Sequence, residues 1–235
     1  MMKKLFSFAA GLVALLSLSA CQGLIDSWNE IPGFTVMPEL YDGQNVRIIR
    51  LTKCHYAWKI SDPSILKLTV TDEEEAWLEV AYPAGETDPI KVTITATNAD
   101  KPDQEPFKTD VYVCPWRLTV LKEQNDGTWE RDNDCKGVGG HNFSVVMEGL
   151  KPVDQQKKVY EWKSISELLM AQNGLKPEYD KLTWQVDDAD KTYLKDWTEH
   201  ETYATFSVPG LIDEIPISAT LGKVTHKTKV IDSTF

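Results

Sequence analysis

Tyr56-Ala-Trp58-Lys-Ile60-Ser-Asp62-Pro63-Ser-Ile65 is the stretch on which the fold turns. A second run, Ala76-Trp-Leu-Glu-Val-Ala-Tyr82, follows it, then a turn at Pro83-Ala-Gly85 and a third run, Ile90-Lys-Val-Thr-Ile-Thr-Ala-Thr97. The same order returns as Leu182-Thr-Trp184-Gln-Val186-Asp187, Thr202-Tyr-Ala-Thr-Phe-Ser-Val208, Pro209-Gly210 and Ile215-Pro-Ile217-Ser-Ala219-Thr220. The Trp-to-Ala spacing is 38 residues (58 to 96) in the first copy and 35 (184 to 219) in the second. A repeat of this length means that one structural plan is used twice.

The period of each run is two. Ile90, Val92, Ile94 and Ala96 share one face, and Lys91, Thr93, Thr95 and Thr97 share the other. Alternation with β-branched residues is the pattern of a half-buried strand. Phe107, Val111 and Val113 repeat it, and Trp58 and Ile60 alternate with Lys59. Strand-like runs fall near 34–37, 45–52, 56–61, 65–70, 76–82, 90–97 and 107–114. Short strands at regular spacing predict an antiparallel β-sandwich. The expected fold class is therefore all-β, with two tandem antiparallel sandwiches.

Two motifs resemble bacterial immunoglobulin-like and PKD-like modules. The first reads Trp58-Lys-Ile60-Ser-Asp62 and Trp184-Gln-Val186-Asp187-Asp188. The second reads Val92-Thr-Ile94-Thr-Ala96-Thr97 and Ile215-Pro-Ile217-Ser-Ala219-Thr220. The resemblance covers roughly 31–235 and implies immunoglobulin-like sandwiches. The glycine-rich run usual before the late strand is reduced here to Gly85 and Gly210.

The chain begins with a targeting segment, 1–20. Lys3 and Lys4 form a positive region, and Leu5–Leu18 is apolar but too short to span a bilayer comfortably. It closes on Leu18-Ser19-Ala20-Cys21, which resembles a bacterial lipobox. That resemblance implies acylation of Cys21 and anchoring by lipid chains rather than a spanning helix. Gln22 stands where lipoproteins retained at the inner membrane often carry Asp, which implies the outer membrane. Residues 21–30 form a tether that includes Trp28.

Behind the tether, the expected domains are 31–114 and 115–235. Pro115 separates them with no flexible linker, so they should sit end to end with restricted motion. The second carries two additions. Asn125-Asp126-Gly127 is a hairpin signal, placing a hairpin over 116–131. Ser164-Ile-Ser-Glu167 is a capping box followed by Leu168-Leu-Met-Ala, with Gly174 as a C-terminal cap and Pro177 beyond it. A helix is expected at 165–173, with Ile165, Leu168 and Leu169 packed on the sheet. Between the additions, Gly137, Gly139 and Gly140 read as a loop, and Phe143, Val145 and Met147 as an alternating strand. The helix and the glycine loop together are a candidate partner-facing surface.

The net charge of −11 disfavours nucleic acid and anionic lipid as partners. Beyond Cys21 the cysteines are Cys54, Cys114 and Cys135. A sandwich places Cys54 and Cys114 about 20 Å apart, whereas a disulfide needs Cα atoms within about 7 Å. The open alternatives are a Cys114–Cys135 bridge and three free thiols. His55, His141, His200 and His226 show no metal-ligand spacing. His226 shares a face with Val224 and Val230 and reads as a core or edge residue. Asp188, Asp190, Asp196 and Glu199 mimic the acids of a calcium loop, but Tyr193 stands where its sharp turn needs Gly. A polar loop is the reading there, and a solvated turn is the reading of Asp72–Glu75. No metal site and no cofactor are expected.

No serine elbow, Cys-His pair or HExxH motif is present, so the chain reads as non-catalytic. Among eight tryptophans, Trp58 and Trp184 match in the repeat and read as core. Trp77 adjoins the acidic run, while Trp129 and Trp197 lie in turn-rich segments. Exposed aromatics beside acids and amides suit sugar binding, so Trp129 and Trp197 are the candidate ligand-facing residues. The expected function is a non-catalytic outer-membrane lipoprotein acting as a scaffold or protein-interaction module of the cell envelope. The alternative is a surface glycan-binding lipoprotein of a nutrient-uptake system.

Overall fold

The structure, a computed structural model, describes residues 31–71, 75–131, 135–136, 141–154, 156–165, 182–209 and 212–233. Among the described residues eight strands precede Pro115: β1 (Phe34–Thr35), β2 (Glu39–Tyr41), β3 (Asn45–Arg50), β4 (Tyr56–Ile60), β5 (Leu66–Val70), β6 (Ala76–Val80), β7 (Ile90–Asn98) and β8 (Phe107–Cys114). They form two four-stranded sheets, β1-β3-β6-β5 and β2-β8-β7-β4. All pairs are antiparallel except β2 with β8. The inward residues of both sheets meet in one core, which includes Val46, Ile48, Leu66 and Leu78 from the first and Val92, Ile94, Val111 and Val113 from the second. A sheet ordered first-second-fifth-fourth facing one built on third-sixth-seventh is the immunoglobulin-like arrangement. Here the first strand is split, so that β1 serves one sheet and β2 the other.

The second half repeats that plan with additions. Its strands are β9 (Trp116–Glu123), β10 (Trp129–Arg131), β11 (Cys135–Lys136), β12 (His141–Asp154), β13 (Val159–Ser164), β14 (Thr183–Val186), β15 (Lys195–Glu199), β16 (Tyr203–Val208), β17 (Ile212–Leu221) and β18 (Val224–Ser233). One sheet runs β10-β9-β12-β16-β15, with β13 also paired to β12, and the other runs β11-β18-β17-β14. Removing β10 and β13 leaves the strand order of the first sandwich, with the parallel β11–β18 pair in the place of β2–β8. The core between the sheets includes Trp116, Phe143, Met147, Trp184, Phe206, Ile217 and Ala219.

The hairpin expected over 116–131 is formed by β9 and β10, closed by the Gln124 amide donating to the Thr128 carbonyl and the Gly127 amide donating to the Gln124 carbonyl. The described helix, α1 (Asp188–Lys191), is a single turn inside the calcium-like segment, with Tyr193 exposed beyond it. The helix expected at 165–173 lies, after Ile165, outside the described residues; Ile165 itself is buried in the core. Residues 72–74 of the acidic run and the 137–140 loop also lie outside them.

The repeat has a geometric basis. Trp58 on β4 lies opposite Ala96 on β7, and Trp184 on β14 lies opposite Ala219 on β17. The small Ala leaves room for the indole on the same face of the sheet. The two tryptophans differ in depth. Trp184 is 7% exposed, and its Nε1 donates to the carbonyl of His200 at 3.2 Å. Trp58 is half-buried at the edge of the core, edge-on to Phe34 and stacked on Tyr56. Cys54 and Cys114 are free thiols. The Cys114–Cys135 bridge is therefore not formed: the Cys114 sulfhydryl is buried in the second core and turned to the Tyr112 carbonyl, 3.6 Å away.

Candidate functional site

Two surfaces have the chemistry of a binding site. The first is the outer face of the β10-β9-β12-β16-β15 sheet. Trp129 pairs with Glu123, and Asn142 pairs with Ser207. Asn142 Nδ2 donates to Glu123 Oε2 at 2.7 Å, joining the two pairs into one row across the sheet. At its far end, a bulge between Lys195 and Thr198 puts Asp196 at φ 57 and brings its Oδ2 to 3.5 Å from Ser207 Oγ. Trp129 and Asp196 thus line one shallow depression of about 220 Å³. Trp129 is 43% exposed.

Trp197 does not join Trp129 there. Its ring stacks on Phe206 with centroids 5.5 Å apart and meets Trp184 edge-on at 6.4 Å, packing against the second core. Its Nε1 donates to Glu199 Oε1 at 2.9 Å. The same bulge turns Trp197 inward and its neighbour Asp196 outward. An extra residue in a strand reverses which side chains face solvent, and residue types alone carry no mark of it.

Farther along the same face, Glu148 is buried and accepts from Arg117 Nε and Nη2 at 3.0 and 2.9 Å. It also accepts from Thr119 Oγ1 at 2.8 Å and Arg131 Nη2 at 2.6 Å. Burial pushes this carboxyl upward, but these donors outweigh it and hold the group below its ordinary value. The Arg117 guanidinium lies 4.1 Å above the Trp162 ring. This network pins the hairpin to the sheet.

The second surface lies where the two sandwiches meet. Pro115 alone separates β8 from β9. Tyr41, at the end of β2, and Cys114, at the end of β8, are fully buried in the core of the second sandwich. The Tyr41 ring lies directly against Gly149 on β12, where a Cβ would overlap it. Trp116 Nε1 reaches back to the Asp42 carbonyl at 2.9 Å, and the His226 ring packs on the indole at 4.2 Å. On the other side of the junction two turns touch backbone to backbone. Gly43, at φ 85, lies against the Leu221 carbonyl, and Gly222, at φ 58, lies against the Gly43 carbonyl. Only glycine fits either place, because both the left-handed backbone and the contact exclude a side chain.

These contacts frame a cleft of about 560 Å³. Its floor is the outer face of β3, β5 and β6, and its end wall is the β17–β18 turn, Gly222-Lys223. Trp77 stands on the floor beside Thr69, its register partner, with Asn45 opposite Glu79 in the next row. Lys223 Nζ crosses to Glu79 Oε1 at 3.0 Å, and Lys67 Nζ lies 3.6 Å from Oε2. Lys223, then Lys67, hold the Glu79 carboxyl below its ordinary value. Sequence reasoning missed this site because its walls come from turns far apart in the chain. The outward position of Trp77 within alternating β6 was the one available signal.

Among the described residues no group of three or more His, Cys, Asp or Glu side chains is placed to hold a metal ion.

No protein-family model matches the chain, and no curated protein matches it. Solved structures resemble it weakly. A tandem pair of titin immunoglobulin domains is 13% identical over 87% of this chain and 96% of that one, at a TM-score of 0.26. Domains 5–6 of the S-layer protein SbsC are 11% identical over 86% and 100%, at 0.27. The first two EC domains of human protocadherin-24 are 13% identical over 86% and 94%, at 0.28. The fold rests on strand order and register rather than on these scores.

Proposed function

We propose that this chain is a lipid-anchored, non-catalytic interaction module of the bacterial cell envelope. In this reading Cys21 carries the acyl anchor at the outer membrane, and the two sandwiches hold a binding surface away from the bilayer at a fixed angle. The observation that carries the proposal is the junction: a one-residue link, a shared core at Tyr41 and Cys114, and two glycines in backbone contact. A flexible linker would let two domains reorient; this junction costs packing to bend. Such rigidity suits a scaffold that presents a partner or ligand in one orientation.

The lipobox residues Leu18-Ser19-Ala20-Cys21 support the anchor. Membrane fractionation tests it. Cys21→Ala moves the protein from the membrane pellet to the soluble fraction in this reading. Retention in the pellet, with no partner protein co-purifying, would contradict it. The glycan-binding alternative draws its support from the exposed Trp129 and the polar row beside it.

A further inference from the structure

We infer that the inter-domain cleft around Trp77 is a binding site for an uncharged oligosaccharide. The inference rests on the reading of the chain as a binding module, but not on acylation of Cys21. It moves the ligand away from the Trp129 face that the sequence singles out.

The cleft supplies the two things a sugar ring needs. One is an aromatic plane: Trp77 projects from the outer face of its sheet and is half-buried, so part of the indole remains open to the cleft. The C–H face of a pyranose stacks on such a ring. The other is a set of neutral hydrogen-bonding groups around it. Asn45, Thr69 and Thr71 line the cleft, and none of their side chains has a hydrogen-bond partner among the described residues. They can meet hydroxyls without breaking an existing bond, which avoids the cost of stripping partners from polar groups. The volume, about 560 Å³, lies within the range of roughly 300–1,000 Å³ common for small-ligand sites, which favour domain interfaces.

Charge narrows the class. Glu79 is matched by Lys223 and Lys67, and the remaining charged lining residue, Asp42, is an acid. Among the described lining residues the acids Asp42 and Glu79 outnumber the one cation, Lys223, which is itself paired with Glu79, so the lining does not favour a sulfate, phosphate or uronate. The overall charge of −11 disfavours a polyanionic chain as well. Rigidity supplies the rest: the close approach of Gly43 and Gly222 fixes the end wall, so the site needs no closure to form.

The test uses the full-length protein as purified in detergent. Calorimetric titration with cellohexaose, xylohexaose, mannohexaose and maltohexaose, paired with tryptophan fluorescence, reads binding directly. At least one of these neutral sugars binds and perturbs fluorescence. Trp77→Ala weakens it by about tenfold or more, Trp77→Phe restores most of the loss, and Tyr193→Ala, at an exposed aromatic outside the cleft, changes nothing. Should Trp77→Ala fail to fold, the Asn45→Ala/Thr69→Ala double variant takes its place with the same expected loss. Absence of binding by all four sugars would overturn the inference. So would binding that Trp129→Ala abolishes while Trp77→Ala leaves intact, or a proline-rich peptide engaging Trp77 where no sugar does. Membrane retention of Cys21→Ala would sink the anchor reading without touching this one.

Discussion

The ring of Tyr41 fills the space that a side chain on Gly149 would need, so the end of β2 in one sandwich is plugged into the flank of the other. Gly149→Ala is expected to push the ring out and cost about 1–3 kcal/mol, as overpacking does. Tyr41→Phe keeps the ring and removes a buried hydroxyl without a partner among the described residues, so its cost is within about 0.5 kcal/mol. Urea denaturation of the two variants checks both values. Equal losses would mean that the hydroxyl, not the ring, secures the junction.

The two repeat tryptophans should separate by depth. Trp184→Ala removes a buried side chain and is expected to cost about 3–5 kcal/mol. Trp58→Ala removes a half-buried one and is expected to cost about 1–2 kcal/mol. Denaturant midpoints of the two variants decide it, and equal losses would contradict the packing described.

The sequence made this pair visible for a physical reason. Trp58 and Ala96 face each other across two strands, as do Trp184 and Ala219, so the spacing between them is fixed by the loops that return the chain to the same register. Alternation revealed the long strands of the first sandwich equally well. It failed for β2 and β11, which have three and two residues, too few to show a period. Both are held by parallel pairing to the last strand of their sandwich. It failed again for β15, whose burial pattern is exposed at every position but Trp197. There a bulge reversed the outlook of Asp196 and Trp197. The cleft was illegible because Gly43 and Gly222 meet only when both sandwiches are complete.

Glu148 should give the protein an acid limit. Its folded value is lowered, so its contribution is present above the unfolded carboxyl value of about 4.5 and is lost as pH falls through the folded value. Stability should therefore fall below about pH 4.5, and Glu148→Gln should flatten that part of the profile. At neutral pH, Glu148→Ala is expected to cost about 2–3 kcal/mol through the lost charged hydrogen bonds. Thermal melts across pH measure both. A wild-type slope retained in Glu148→Gln would assign the acid limit elsewhere.

His226 should add a second, milder step. Burial against Trp116 lowers its value, and Asp42 opposes that only in part. The folded state therefore favours the neutral ring. Its contribution is complete above the unfolded value of about 6.5 and is lost as pH falls below it. Trp116 fluorescence should change over this range, and His226→Gln should abolish the change. A transition unaltered by that variant would contradict the assignment.

The most direct test of the locked junction is the measurement of residual dipolar couplings for backbone amides of both sandwiches in one weakly aligned sample. A single alignment tensor should fit both sets, and Gly222→Val should split them into two tensors of different magnitude. Two different tensors in the wild-type protein would show that the sandwiches reorient independently, and neither the fixed presentation nor the preformed cleft would stand.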